Sequence, residues 1–231
     1  MQERAGAIRG VHEAKLPLRP VARATVQDRV YRELRAMILN GELAPGQTLT
    51  IQGLAQSFQV STMPVREALR RLIAEQAMTV LAGRSVGIPG LTRARLADLS
   101  RVRREVEGLA VSWAAEQIGA ADLGRLAELI ARMQLAADQR DGRRYVPANH
   151  GFHFTIYRAA DSVVLLSIIE SLWLQIGPYF HVLRSSGNWH AANVTHRTIL
   201  AALERRDGAK AAAALAQDVD QATLALHALI G

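Results

Sequence analysis

The chain has 231 residues, of which 49% are apolar and 21% charged, and none is cysteine. Such a chain can bury a core as one large domain or two small ones; the absence of cysteine excludes disulfides, thiolate zinc sites and cysteine nucleophiles. The net charge of +7 is unevenly spread, with 13 Lys and Arg against 7 Asp and Glu in residues 1–93 and 15 against 14 in the rest, which points to an N-terminal part that faces nucleic acid.

Residues 1–22 show no steady apolar period and contain Pro17 and Pro20; they read as a flexible arm. Thr25, with Asp28 three residues on, reads as the start of a helix carrying Val30, Leu34, Met37 and Ile38 at helical spacing and stopping before Gly41. Pro45-Gly46 marks a turn. A short helix is predicted from Ile51 to Phe58, and after Gln59-Val60 a third begins behind Ser61 and runs to about Gln76. Two β-prone pieces, Thr79–Leu81 and Val86–Ile88, flank a turn-like tip, Ala82-Gly83-Arg84-Ser85. Helix, helix, helix, hairpin is the order of a winged helix-turn-helix.

Pro89-Gly90 reads as a linker, and from Thr92 only helices are expected, at about 93–119, 121–141, 145–160, 162–184, 188–206 and 208–229. The fold class is therefore mainly α: a winged helix-turn-helix over 23–92, with three helices and a β-hairpin wing, followed by an all-α antiparallel bundle over 93–231. No uninterrupted apolar run reaches the roughly 18 residues of a membrane span; the longest, Val163–Gly177, is broken by Ser167, Glu170 and Ser171. No apolar signal segment is visible near the N-terminus, so a cytoplasmic location and no membrane partner are expected.

The third helix carries the clearest chemistry. Val65, Ala68, Leu69, Leu72 and Ile73 share one face, while Thr62, Met63, Arg66 and Arg70 share a neighbouring face near the N-terminal end. A major-groove helix needs this arrangement, because the apolar side anchors it while the other reaches bases and phosphates. Arginine suits the task, since its planar fork binds guanine or phosphate in a bidentate manner. A solvated basic face on an ordinary helix is the alternative for this helix taken alone.

Three stretches, Leu34-Arg35 through Pro45-Gly46, Leu54-Ala55, and Val60-Ser61-Thr62-Met63-Pro64-Val65-Arg66-Glu67-Ala68-Leu69-Arg70-Arg71-Leu72, resemble the GntR family of bacterial regulators. The resemblance implies that Arg35, Arg66 and Arg70 contact DNA, that Thr62 and Met63 lie at the groove, and that the Gly83-Arg84 tip enters the minor groove. Gln76 and Ser85 stand where that family usually has glycine. Residues 94–231 resemble the FadR-type branch with its FCD ligand-binding domain, through Arg103-Arg104-Glu105-Val106-Glu107, Ala114-Ala115, Phe152-His153, and His196 with Ile199, Ala202 and Asp207. By that resemblance the divalent-metal positions are Asn149, His153, His196 and Asp218. Asn replaces the usual Asp and Asp the usual last His, which keeps one negative charge in a set suited to Zn²⁺, Ni²⁺ or Mn²⁺. A polar cluster hydrogen-bonded within itself is the alternative. Expected effector contacts are Arg103, His153, His181, Arg184 and His196; for Arg103 a surface salt bridge with Glu107 is an equal alternative.

These readings together describe a transcriptional regulator, expected to be a repressor. It would be a homodimer on pseudo-palindromic double-stranded DNA, controlled by a small organic acid. Sugar acids, short fatty acids, aromatic acids and amino acids are all carried on this fold. Two other functions compete: a metal-dependent enzyme using His153, His196 and Asp218, and an architectural DNA binder without an effector. The first has no His-Glu-x-x-His motif, nucleophile elbow or phosphate-binding glycine loop behind it.

Overall fold

A computed structural model describes residues 25–81, 85–90, 92–186 and 189–230. The predicted arm, residues 1–22, and the predicted wing tip, Gly83-Arg84, lie outside the described residues.

Helix α1 (Val26–Leu39) begins at a reciprocal cap. The Asp28 N–H donates to the Thr25 hydroxyl, and the Thr25 N–H donates back to the Asp28 carboxylate, at 3.2 and 3.1 Å. Strand β1 (Thr48–Thr50), α2 (Ile51–Phe58) and α3 (Thr62–Ala74) follow. Helix α3 ends two residues before the predicted Gln76. That residue has φ +58°, in the left-handed region that glycine enters without a Cβ penalty. Ser61 takes the N-cap position without a side-chain cap bond. The predicted hairpin is present as β2 (Thr79–Val80) and β3 (Ser85–Gly87), each shorter than expected or shifted by a residue. Strand β1 was not expected; it pairs antiparallel with the other side of β3, Thr48 opposite Gly87, giving the order β1-β3-β2.

The six predicted bundle helices are α4 (Arg93–Gln117), α5 (Ala120–Asp138), α6 (Gly142–Ala159), α7 (Val163–Ser186), α8 (His190–Glu204) and α9 (Gly208–Leu229). Helix α6 starts three residues earlier than expected. The Asp141 carboxylate caps it by accepting from the Arg143 and Arg144 N–H groups, which places Pro147 inside the helix. Helices α4, α8 and α9 pack together, as do α5 and α6.

Helix α7 joins the two parts of the chain. Over Val163–Arg184 its mean hydropathy of 1.5 makes it long and apolar enough to cross a membrane by length and composition, yet half of its most apolar window is buried in the protein. Averaged along the helix its apolar character reaches that length, although Ser167, Glu170 and Ser171 interrupt the run. Ile169, Trp173, Ile176 and Phe180 join the core, and α7 packs on α1, α4, α6 and α9. Its contact with α1 is close enough to fix two glycines. A Cβ at Gly177 would sit 2.7 Å from the Ile38 carbonyl oxygen; one at Gly41, where φ is +62°, would sit 2.7 Å from the His181 backbone nitrogen.

Candidate functional site

Two surfaces matter: the exposed face of α3 and a cavity in the bundle. On α3, Val65, Ala68, Leu69 and Leu72 are buried, while Thr62, Met63, Arg66 and Arg70 are exposed, as the helical spacing predicted. Arg70 Nη1 lies 2.6 Å from Glu67 Oε1, one turn back. That pair is exposed and holds the guanidinium only weakly. Arg35 is placed differently from its expected role. Its Nη2 lies 3.2 Å from Glu170 Oε2 on α7, so in this conformation it links the head to the bundle.

The cavity has a volume of about 120 Å³ and opens among α4, α6, α7, α8 and α9. Arg103, Asn149, His153 and Asp218 line it. Asp218 Oδ2 lies 3.4 Å from His153 Nε2, and Oδ1 lies 3.3 Å from His196 Nε2. His196 is fully buried and reaches the cavity only through Asp218. One ligand atom from each of these three residues lies within 4.8 Å of the others.

Hydrogen bonds around the cluster fix the state of His153. Tyr157 has one hydroxyl proton, and its oxygen is 2.5 Å from Glu107 Oε2, so the proton is donated there. At 3.3 Å the same oxygen then accepts from His153 Nδ1. That tautomer leaves a lone pair on Nε2, facing the Asp218 carboxylate. Burial pushes His153 down to about 3 against the opposing pull of Asp218, so the ring is neutral. Burial would raise Asp218, but His196 above all, with Arg103, outweighs it and holds the carboxyl below its usual range.

A lone pair facing a carboxylate calls for a cation between them. His196 makes a similar demand: its buried Nδ1 has no hydrogen-bond partner among the described residues and its Nε2 meets only the Asp218 carboxylate, at 3.3 Å, and a buried ring nitrogen left unsatisfied is costly. The residues present therefore fit a divalent metal, with two imidazoles and one carboxylate as donors and Asn149 one helical turn from His153. The expected alternative, a cluster hydrogen-bonded within itself, accounts for His196 Nε2 beside Asp218 but leaves Nδ1 without a partner.

Arg103 pairs with Glu107, but inside the protein and not on the surface. Its Nε and Nη2 donate to the Glu107 carboxylate at 2.6 and 3.2 Å, with both side chains buried. The guanidinium also lies 5.1 Å from the Trp173 ring centroid, at the cavity wall. His181 and Arg184, expected at the effector, are not brought to the cavity. They line a separate surface cleft and bind the end of α1: His181 Nδ1 is 2.8 Å from the Gly41 carbonyl oxygen, and Arg184 Nη1 donates to the Asn40 and Gly41 carbonyls. They follow Gly177 by four and seven residues, on the stripe of α7 that faces α1, and a cation there complements the helix C-terminus. Sequence reasoning missed Tyr157 as the partner of His153; its spacing of four from His153 was the available signal.

His150, one residue beyond Asn149, stacks on Phe154. Burial, then Arg35 and Arg158, push it down to about 4. Both His150 and His153 thus stay neutral in the folded chain while an unfolded histidine titrates near 6.5. Their contribution is full above about pH 6.5 and is lost as pH falls toward about 4 and about 3, because the unfolded chain binds protons that the folded one rejects. In metal-free protein, His150→Phe should reduce the fall in stability between about pH 6.5 and 4.5 by up to about 1.4 kcal/mol per pH unit. Denaturant titrations at a series of pH values measure it, and identical slopes in both proteins would refute it.

Comparison with known proteins agrees with this architecture. Residues 26–88 match the model of the bacterial regulatory proteins of the gntR family, and residues 98–221 match the FCD domain. The HTH-type transcriptional regulator McbR of Escherichia coli (strain K12) is 32% identical over 183 residues, covering 77% of this chain and 82% of the relative. The gluconate operon transcriptional repressor of Bacillus subtilis (strain 168) is 29% identical over 166 residues, 70% of this chain and 65% of that protein. The solved structure of E. coli McbR/YncC superposes with a TM-score of 0.84 at 28% identity, covering 90% of this chain and all of that one. These relatives are transcriptional regulators and not enzymes. The chain belongs to the gntR family of bacterial regulatory proteins, with an FCD domain behind its DNA-binding head, and is a transcriptional regulator.

Proposed function

We propose that this regulator is a cytoplasmic repressor whose operator affinity is set by a small organic acid in the bundle cavity, with a divalent metal held by Asn149, His153, His196 and Asp218. The observation that carries this reading is the convergence of His153, His196 and Asp218 beside Arg103 in one cavity. When bound, the metal would supply positive charge for a carboxylate. Asp218 and the two imidazoles would hold it, and Arg103 would orient the acid.

Helix α7 supplies the route from the cavity to the DNA head. Trp173, Phe180 and Leu183 line the cavity, while Glu170, His181 and Arg184 bond α1 and the turn behind it. An acid that favours one setting of α7 then favours one placement of the head, which is the differential affinity that regulation requires. Homodimerisation is supported by an apolar stripe on α4: Val102, Leu109 and Trp113 are exposed at spacings of seven and four, which put them on one helix face. A two-fold dimer suits a pseudo-palindromic operator. Thr62, Met63, Arg66 and Arg70 are the proposed groove contacts; Arg35 would join them only after leaving Glu170.

His196→Ala tests the cavity assignment. It should bind operator DNA as the parent does but lose release by acid, read by fluorescence anisotropy; persistence of the response in this variant would sink the assignment. On the DNA side, Arg66→Ala is expected to weaken operator binding by about 1–3 kcal/mol if Arg66 reads a base. The same assay on scrambled DNA checks it: equal losses on both sequences would make Arg66 a phosphate contact instead.

A further inference from the structure

We propose that the cavity selects a compact apolar monocarboxylate of about six non-hydrogen atoms and rejects polyhydroxylated sugar acids. This rests on the effector reading above and narrows it.

Size sets the first limit. A dry cavity of about 150 Å³ is filled by benzene; this one has about 120 Å³. Butyrate matches benzene in heavy atoms, whereas gluconate has roughly twice as many.

Polarity sets the second. Arg103, Asn149, His153 and Asp218 form the polar part of the lining, with Trp173 packed against Arg103 and His153, and the rest includes Val146, Phe180, Leu183, Trp189 and Val219. The Trp173 indole N–H is buried without a hydrogen-bond partner among the described residues; the polar atoms of the remaining wall are largely engaged. The Trp189 indole N–H donates to the Leu183 carbonyl at 3.0 Å. The Tyr145 hydroxyl donates to Asn193 Oδ1 at 3.2 Å. The Gln221 carbonyl accepts from Thr195, which leaves only its amide N–H groups. The hydroxyls of a sugar acid would meet hydrocarbon, and one hydroxyl against such a wall is discriminated by about a hundredfold.

Charge sets the third. Glu107 already neutralises Arg103, so Asp218 leaves the polar part with one net negative charge, which repels an acid. A divalent metal reverses that sign. Acid binding is therefore conditional on the metal, and a monoanion is the ligand charge that the loaded site neutralises.

Calorimetry on the full chain tests this, with butyrate and gluconate titrated into Zn²⁺-loaded and chelated protein. The loaded chain should bind butyrate at least about a hundredfold more tightly than gluconate, and the chelated chain should bind neither. Ala222→Leu and Ala192→Leu, which fill the cavity from two different helices, should lose butyrate while still binding Zn²⁺. Gluconate binding as tightly as butyrate overturns the selectivity and leaves the effector reading standing. Butyrate binding unchanged in both filled variants puts it outside the cavity and overturns the proposal. If the Zn²⁺-loaded chain binds neither acid, this inference fails, whereas the organic-acid reading beneath it stands or falls with the His196→Ala comparison.

Discussion

Glu107→Ala should destabilise the chain by about 3–5 kcal/mol, the usual loss when one partner of a buried ion pair is removed. Glu107 has no exposed side-chain surface, and Arg103 has 6%. Taking the carboxylate away strands a guanidinium in the core and also removes the acceptor of the Tyr157 hydroxyl. Urea denaturation measures the loss, and a change below about 1 kcal/mol would mean that Arg103 finds another partner or solvent. The double change Arg103→Met with Glu107→Leu separates fold from function. Replacing a buried pair by apolar residues of similar volume is often neutral, so stability should return while the response to acid stays lost.

Asp218→Ala is the second large effect. It removes the only carboxylate among the three residues that converge on the candidate metal position. Outer-shell changes at metal sites typically lower affinity by about 10–100-fold; loss of the charged donor should exceed that range. Tyr157→Phe should fall within it, because that side chain sets the His153 tautomer without being a donor to the metal. Zinc titrations of the two variants should rank in that order. Zinc affinity within about tenfold of the parent in Asp218→Ala would exclude this cluster as the metal site.

What the sequence disclosed follows from which interactions are local. The cap of α1 needs only Thr25 and Asp28, and the reading face of α3 follows from 3.6-residue spacing, so both were legible. Strand β1 has three residues, Thr48–Thr50, too few for alternation to show. Helix α7 defeated the placement of His181 and Arg184 because apolar residues surround it almost completely. Nothing in its own pattern says which polar residues face the cavity and which face α1. The Arg35–Glu170 pair joins α1 to α7 across most of the chain, and no local rule reaches that far. Glu107 stands four residues from Arg103, the spacing of a routine surface pair; only the packing of α6 and α7 over α4 turns it into a buried one. The metal set came from a resemblance in spacing, and the structure adds the partnerless His196 Nδ1, which spacing does not show.

The proposed mode of regulation requires that the head of this regulator reads one DNA sequence as a two-fold assembly. Repeated selection from a randomised duplex pool at about 150 mM salt, where non-specific attraction is partly screened, tests this with no operator sequence assumed. Enrichment of one two-fold symmetric site, lost in Arg66→Ala, is the predicted result. Equal weak retention of every sequence through successive rounds would contradict it, because a basic head that holds DNA without reading it is not the head of a sequence-specific regulator.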